Sequence, residues 1–183
     1  MSDLGLFRRR LLTNPRQVSA IAPSSRFLAR AMSEGLGPET GRIVEFGAGT
    51  GRLTRGMLAR GVEPRNLTLF EMDAEFAHFL KGCFPGVTVH VAGAQTAGER
   101  VAQGVGAVVS GLPLLSMPVA VRQSIVEAAF TILKPGAPLV QFTYGRHPPL
   151  PDSLIAELGL SVEIGALVLA NLPPARVYRF RKA

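Results

Sequence analysis

The sequence predicts an α/β domain: a mostly parallel sheet with helices on both faces, preceded by a helical extension and closed by a hairpin. Three observations carry that expectation. An apolar run, Arg42-Ile43-Val44-Glu45-Phe46, breaks into the alternating glycines Gly47, Gly49 and Gly51, and an amphipathic pattern follows from Arg52 to Arg60. That order is strand, tight turn, helix. After residue 40, short apolar runs alternate with helical periods, the pattern of parallel strands joined by crossover helices. The last two apolar runs, Ser161 to Ala170 and Ala175 to Arg181, are separated only by the turn sequence Asn171-Leu172-Pro173-Pro174, which pairs neighbours as a hairpin.

In chain order, strands are expected at 42–46, 66–71, 87–91 and 106–110, with a fifth from Pro138 to Tyr144. Helices are expected at 51–60, 74–82, 96–103 and 118–133, the last ended by Pro135-Gly136, and a short one at 151–158 leads into the hairpin. Residues 1–40 stand outside this alternation, as an N-terminal amphipathic helix and lid segment ahead of a domain over 41–183. Leu4, Phe7, Leu11 and Leu12 lie roughly on one helical face. Arg9 and Arg10 lie away from it, Arg8 falls inside the stripe and Leu6 outside it, so the amphipath is imperfect, and Asn14-Pro15 interrupts it. Two readings follow. Leu4, Phe7, Arg8, Arg9, Arg10 and Leu11 contact a membrane interface, or the helix packs over the core.

Length and charge narrow the possibilities. The chain has 183 residues, enough for one domain, and 47% are hydrophobic. The formal charge is +7, and 17 of the 20 basic residues are arginine. The excess gathers at the ends: Arg8, Arg9, Arg10, Arg16, Arg26 and Arg30 at one, Arg176, Arg179, Arg181 and Lys182 at the other. Such ends favour an anionic partner, either nucleic acid or an acidic membrane surface. Cys83 is the single cysteine, which excludes an internal disulfide and fits a reducing compartment. No apolar stretch reaches the ~20 residues of a membrane span, and the N-terminus lacks a signal peptide's apolar stretch. His78 and His90 have no metal-ligand spacing, so no metal site is expected.

The glycine turn carries the chemistry. Glycines allow the backbone to bend sharply and approach a ligand closely. Leu67 to Phe70 reads as the second strand and ends in Glu71, twenty residues after Gly51, a position suited to the two hydroxyls of a ribose. A solvated loop acid is the plainer alternative. A dinucleotide site reads GxGxxG, and here the third glycine comes one residue early. The arrangement Glu45-x-Gly47-x-Gly49-x-Gly51 resembles motif I of class I S-adenosylmethionine-dependent methyltransferases. That resemblance implies a Rossmann-like sheet of seven strands, one of them antiparallel, with S-adenosyl-L-methionine as cofactor. Glu45, Phe46, Gly47, Ala48, Gly49, Gly51, Glu71 and Met72 would bind it, with Ser110, Gly111 and Leu112 from the fourth strand. Ala94 and Gln95 would flank the adenine. The superfamily often carries Asp where Ala94 stands, which leaves the Gln95 amide or the backbone to accept from the adenine.

The acceptor side begins at Ser110-Gly111-Leu112-Pro113-Leu114-Leu115. Enzymes acting on base nitrogens often place an asparagine and an aromatic here; this chain has Ser110 and Leu114. Together with Asn14-Pro15-Arg16-Gln17-Val18 and Ala20-Ile21-Ala22-Pro23-Ser24-Ser25, the segment resembles bacterial phospholipid N-methyltransferases, which convert phosphatidylethanolamine towards phosphatidylcholine. The resemblance implies a cytoplasmic protein, peripheral on the inner membrane face, with anionic membrane lipids as partners, phosphatidylethanolamine as substrate and no nucleic acid. Pro113, Arg146 and Ser25 are the substrate-binding candidates. Tyr144, at the end of the fifth strand, is the catalytic candidate for orienting the amine, or else a core-edge tyrosine. The alternatives are an rRNA adenine methyltransferase, a related family that usually adds an RNA-binding domain, and a non-catalytic lipid-binding protein on the same fold.

Overall fold

The computed structural model describes residues 25–145 and 147–182. The amphipathic segment within residues 1–12 and Arg146 lie outside the described residues. Seven strands form one sheet in the order β3-β2-β1-β4-β5-β7-β6. They are β1 (Ile43–Phe46), β2 (Leu67–Glu71), β3 (Thr88–Val91), β4 (Ala107–Ser110), β5 (Leu139–Thr143), β6 (Leu160–Val168) and β7 (Ala175–Lys182). The first five pair in parallel; β7 runs antiparallel between β5 and β6. This is the expected Rossmann-like sheet with its C-terminal hairpin.

The helices are α1 (Arg26–Met32), α2 (Arg52–Leu58), α3 (Ala74–Cys83), α4 (Ala97–Arg100), α5 (Val119–Ile132) and α6 (Asp152–Glu157). Period-two alternation along the strands sends side chains to opposite faces. Val44, Phe46, Val108, Leu139, Tyr178 and Phe180 pack with α4, α5 and α6 on one face. On the other, Ile43, Leu67, Ala107, Val109, Val140 and Val177 meet α1 and α2. Strands β1, β4 and β5 are buried at every residue, as central parallel strands require. Ahead of the sheet, α1 buries Leu28, Ala29 and Met32 in the second of these cores.

One expected element shrinks. The helix read over 96–103 is helical only from Ala97 to Arg100, because Val101 is extended. From there the chain must reach β4: Val105 donates its N–H to the Ile132 carbonyl at 2.9 Å and bridges to Leu133. That tertiary pairing overrides the local helical period.

Gly51 caps α2 in the left-handed region at φ +76°, and a Cβ there would strike the Phe84 ring. Gly51→Ala is therefore expected to destabilise by about 2–4 kcal/mol through strain and overpacking. Gly82, in α3, has open space where a Cβ would sit, so Gly82→Ala should be neutral or gain up to ~1 kcal/mol. Urea midpoints of the two variants check the contrast.

Candidate functional site

Parallel strands end together, so the turns after β1, β2, β4 and β5 share one edge of the sheet. The turn after β1 is tight: Gly51 donates to the Ala48 carbonyl at 2.8 Å, and Gly47 donates to the Phe70 carbonyl at 2.9 Å. Gly49, at φ +52°, has no atom within 4 Å of where a side chain would begin. Among the described residues, open space therefore lies in front of it.

Glu71 ends β2 on the rim of that space. Its Oε2 accepts from the Gly49 N–H at 2.8 Å and its Oε1 from the Asp73 N–H at 2.9 Å. Burial raises its pKa, and the backbone hydrogen bonds from Asp73 and Gly49 oppose that rise. Each oxygen keeps a further lone pair for an outside donor.

Glu45 lies deeper, at 0% exposure. Its Oε2 accepts from the Thr54 hydroxyl of α2 at 2.5 Å, while Oε1 is buried without a hydrogen-bond partner among the described residues. Burial pushes the Glu45 carboxyl up to about 8; the Thr54 hydrogen bond opposes this and the nearby Glu71 charge adds to it. An unpartnered buried carboxylate oxygen beside a second carboxylate favours a cationic ligand.

Other candidates line the same edge unevenly. Phe46 is in the core, while its carbonyl accepts from Gly111 N–H at 2.8 Å and ties β4 to β1. Ala48 is buried, and Met72 is 74% exposed beyond Glu71. Ala94 packs its methyl into the core, which leaves the backbone and the exposed Gln95 amide as the polar groups at that position. Ser110 is buried, and Leu112 donates its N–H to the Ser110 hydroxyl at 3.4 Å. The Leu112 side chain crowds Gly47, where a Cβ would meet its Cδ2 at 2.5 Å.

Pro113 follows in the turn after β4, whose carbonyls are held from two directions. Gln141 of β5 donates to the Leu112 carbonyl at 3.0 Å. Arg122 of α5 donates to the carbonyls of Leu114 at 3.1 Å, Met117 at 3.3 Å and Pro149 at 3.3 Å. One guanidinium thus clamps the turn after β4 to the loop after β5. Leu114 itself points into the core at 2% exposure.

Tyr144 is half-buried beyond β5, edge-on to Phe142 with ring centroids 5.3 Å apart. Burial raises its pKa above the usual tyrosine value, against a hydrogen bond with the Asn171 side chain. Asn171, in the hairpin turn, also accepts from the Ser25 N–H at 2.9 Å and donates to the Pro173 carbonyl at 2.8 Å. The Ser25 hydroxyl caps α1, accepting from Leu28 N–H at 3.1 Å. Tyr144, Asn171 and Ser25 are therefore one connected group.

Sequence reasoning missed Thr54, Arg122, Gln141 and Asn171. Thr54 had a local signal, since it follows the glycine turn in the first turn of α2. The other three act through partners remote in sequence. Among the described residues, no group of His, Cys, Asp and Glu is placed to hold a metal ion. No described helix is long and apolar enough to cross a membrane.

The Glu45 carboxyl sets a pH dependence. Its pKa rises on folding from 4.5 to about 8, so the folded chain retains a proton that the unfolded chain releases between those values. The stability from this group is full below about 4.5 and is lost as pH rises through about 8. The ligand-free protein should melt at progressively lower temperature across that window, by an amount on the order of a few kcal/mol. Glu45→Gln should flatten the profile, which thermal melts at constant ionic strength will read.

No family model matches the chain. An ornithine lipid N-methyltransferase from Singulisphaera acidiphila is 28% identical over 151 residues, covering 78% of this chain and 79% of that protein. Among solved structures, TrmN from Thermus thermophilus superposes with a TM-score of 0.65 at 14% identity, over 85% of this chain and 48% of that one. This chain thus spans about half of TrmN. The 16S rRNA methyltransferase RsmC of Thermus thermophilus, solved with AdoMet and guanosine, gives 0.60 at 17% identity over 84% of this chain and 38% of its own. The chain has the fold of the class I S-adenosylmethionine-dependent methyltransferases.

Proposed function

We propose that this protein is an S-adenosyl-L-methionine-dependent N-methyltransferase that methylates the primary amine of a membrane lipid headgroup. The observation that carries the cofactor is the pair of carboxylates at the glycine turn: Glu71 on Gly49 N–H at 2.8 Å, with the orphaned Glu45 Oε1 beneath. The residues present suit the group. Glu71 has lone pairs for the ribose hydroxyls, Gly49 leaves room, and the buried Glu45 complements positive charge. When bound, the cofactor supplies a methyl group made electrophilic by its sulfonium.

The acceptor class is supported by the ornithine lipid N-methyltransferase relative and by the phospholipid N-methyltransferase motifs read in the sequence. Ornithine and ethanolamine both present a primary amine. Such an amine titrates near ~10, so removing its proton at pH 7 costs roughly 4 kcal/mol in water. Desolvation of the amine on binding at this edge would favour its neutral form, which keeps a nitrogen lone pair available to the methyl group that the cofactor would supply. Tyr144, held as a neutral phenol by its raised pKa, orients an amine N–H through its oxygen. Pro113 and the Leu112 carbonyl border the same approach, and Arg122 keeps that turn fixed. Phosphatidylethanolamine is the expected phospholipid substrate, Arg146 and Ser25 are its proposed contacts, and the cytoplasmic membrane face is the proposed site of action.

Two measurements test this reading. Glu71→Ala should weaken S-adenosylmethionine binding roughly 10- to 100-fold by calorimetry, with the circular dichroism spectrum retained; unchanged affinity would move the cofactor elsewhere. Purified protein with radiolabelled methyl donor should label the amine-lipid fraction of liposomes containing phosphatidylethanolamine or ornithine lipid. Label entering rRNA in a parallel tube, and no lipid, would overturn the acceptor class in favour of the RNA reading.

A further inference from the structure

We propose that the turn between β6 and β7, with Phe27 at the start of α1, is a docking surface that inserts into an anionic lipid bilayer. The proposal takes its partner class from the lipid reading above, but it rests on a separate feature of the structure. Leu172 is 89% exposed and Leu169 71% exposed, while Asn171 between them is 4% exposed. That inverts the usual order, in which the polar residue of a turn faces water and the apolar ones face the core.

The inversion is held in place. The Asn171 amide accepts from Ser25 N–H at 2.9 Å and donates to the Pro173 carbonyl at 2.8 Å. The turn is thereby fixed to the N-terminus of α1, with its leucines outward. Phe27, 46% exposed, follows two residues after the tied Ser25 in the first turn of α1, and the Arg26 guanidinium stacks over the Phe27 ring at 4.9 Å.

Charge selects the partner. After Glu163 the chain contains no acidic residue, and Arg176 opens β7 just past the turn. Arg26 precedes Phe27, and the next acid beyond it is Glu34. Exposed leucines and an aromatic ring, with Arg26 on the ring and Arg176 just past the turn, match the acyl boundary and phosphate layer of a bilayer. A second copy of this chain matches less well. Two leucines at a turn and one ring at a helix start fall far short of the ~1,200 Å² buried by a specific protein interface. Placement agrees: Arg176 pairs with Thr143, the residue before Tyr144, so the turn lies on the edge of the sheet that carries the site. A bilayer met there would present headgroups to that edge.

The test uses the full chain and vesicles of phosphatidylcholine with or without phosphatidylglycerol. The double variant Leu169→Ser, Leu172→Ser should bind the anionic vesicles roughly ten-fold or more weakly in co-sedimentation. Its melting temperature, and its methylation of an amine lipid dispersed as short-chain monomers, should not change. The chain has no tryptophan, so Leu172→Trp gives a single reporter, whose emission should shift to the blue on adding anionic vesicles and be quenched by brominated acyl chains. Vesicle affinity equal in wild type and the serine variant overturns the proposal. Tryptophan emission already blue before vesicles are added also overturns it, as does a dimer by light scattering that the serine variant abolishes. The two proposals separate cleanly. Hairpin-dependent vesicle binding without methyl transfer to any lipid amine keeps the docking surface and removes the function, whereas lipid methylation with unchanged binding does the reverse.

Discussion

The Glu71 carboxylate bridges two turns that would otherwise be independent. By accepting from Gly49 on one oxygen and Asp73 on the other, it joins the turn after β1 to the turn after β2. The glycines make this approach possible, since a side chain at Gly47 or Gly51 would strike Leu112 or Phe84. Asp73 in turn caps α3, accepting from the Glu75 and Phe76 N–H groups. One acidic side chain thus fixes the shape of the rim and the start of the helix behind it. The arrangement depends on Glu71 remaining an acceptor on both oxygens, because the two N–H groups would otherwise be left unsatisfied.

Beneath that rim the protein tolerates a second carboxylate in a dry place. Thr54 satisfies one oxygen of Glu45, and no described residue satisfies the other. In the ligand-free state the least costly solution is to hold a proton, as the pKa near 8 indicates. A positive ligand would make the ionised form favourable instead. A positive group at these strand ends is therefore favoured over a pyrophosphate, which would meet the Glu71 carboxylate and give Glu45 no reason to ionise.

The strands were readable because β1, β2, β4 and β5 are short apolar runs bounded by turn residues, and their observed limits differ from the expected ones by about a residue. The glycine turn and Glu71 were readable because one strand–helix–strand unit sets their spacing: they stand 22 positions apart, at the ends of adjacent parallel strands. What escaped was set by tertiary contact. Arg122 looked like one more exposed charge on a helix, yet it reaches carbonyls on two loops, one of them 27 positions away. Gln141 looked like a polar interruption of a strand, and its role emerges only when β5 lies beside β4. Asn171 read as turn chemistry, which is correct for its backbone and silent about its amide. The helix over 96–103 failed for the opposite reason: its local period was adequate, and the need to reach β4 cut it short.

The hydrogen bond between Ser25 and Asn171 spans 146 positions. During translation the first of these residues leaves the ribosome long before the second. The α1 helix and its serine cap form locally, but their tie to the sheet waits until the final hairpin has emerged and paired with β5. Closure of this side of the sheet is therefore a late, long-range step. A nascent chain stalled before residue 171 would carry the glycine turn and its carboxylates before β7 had joined β5, so the two halves of the sheet edge mature at different times.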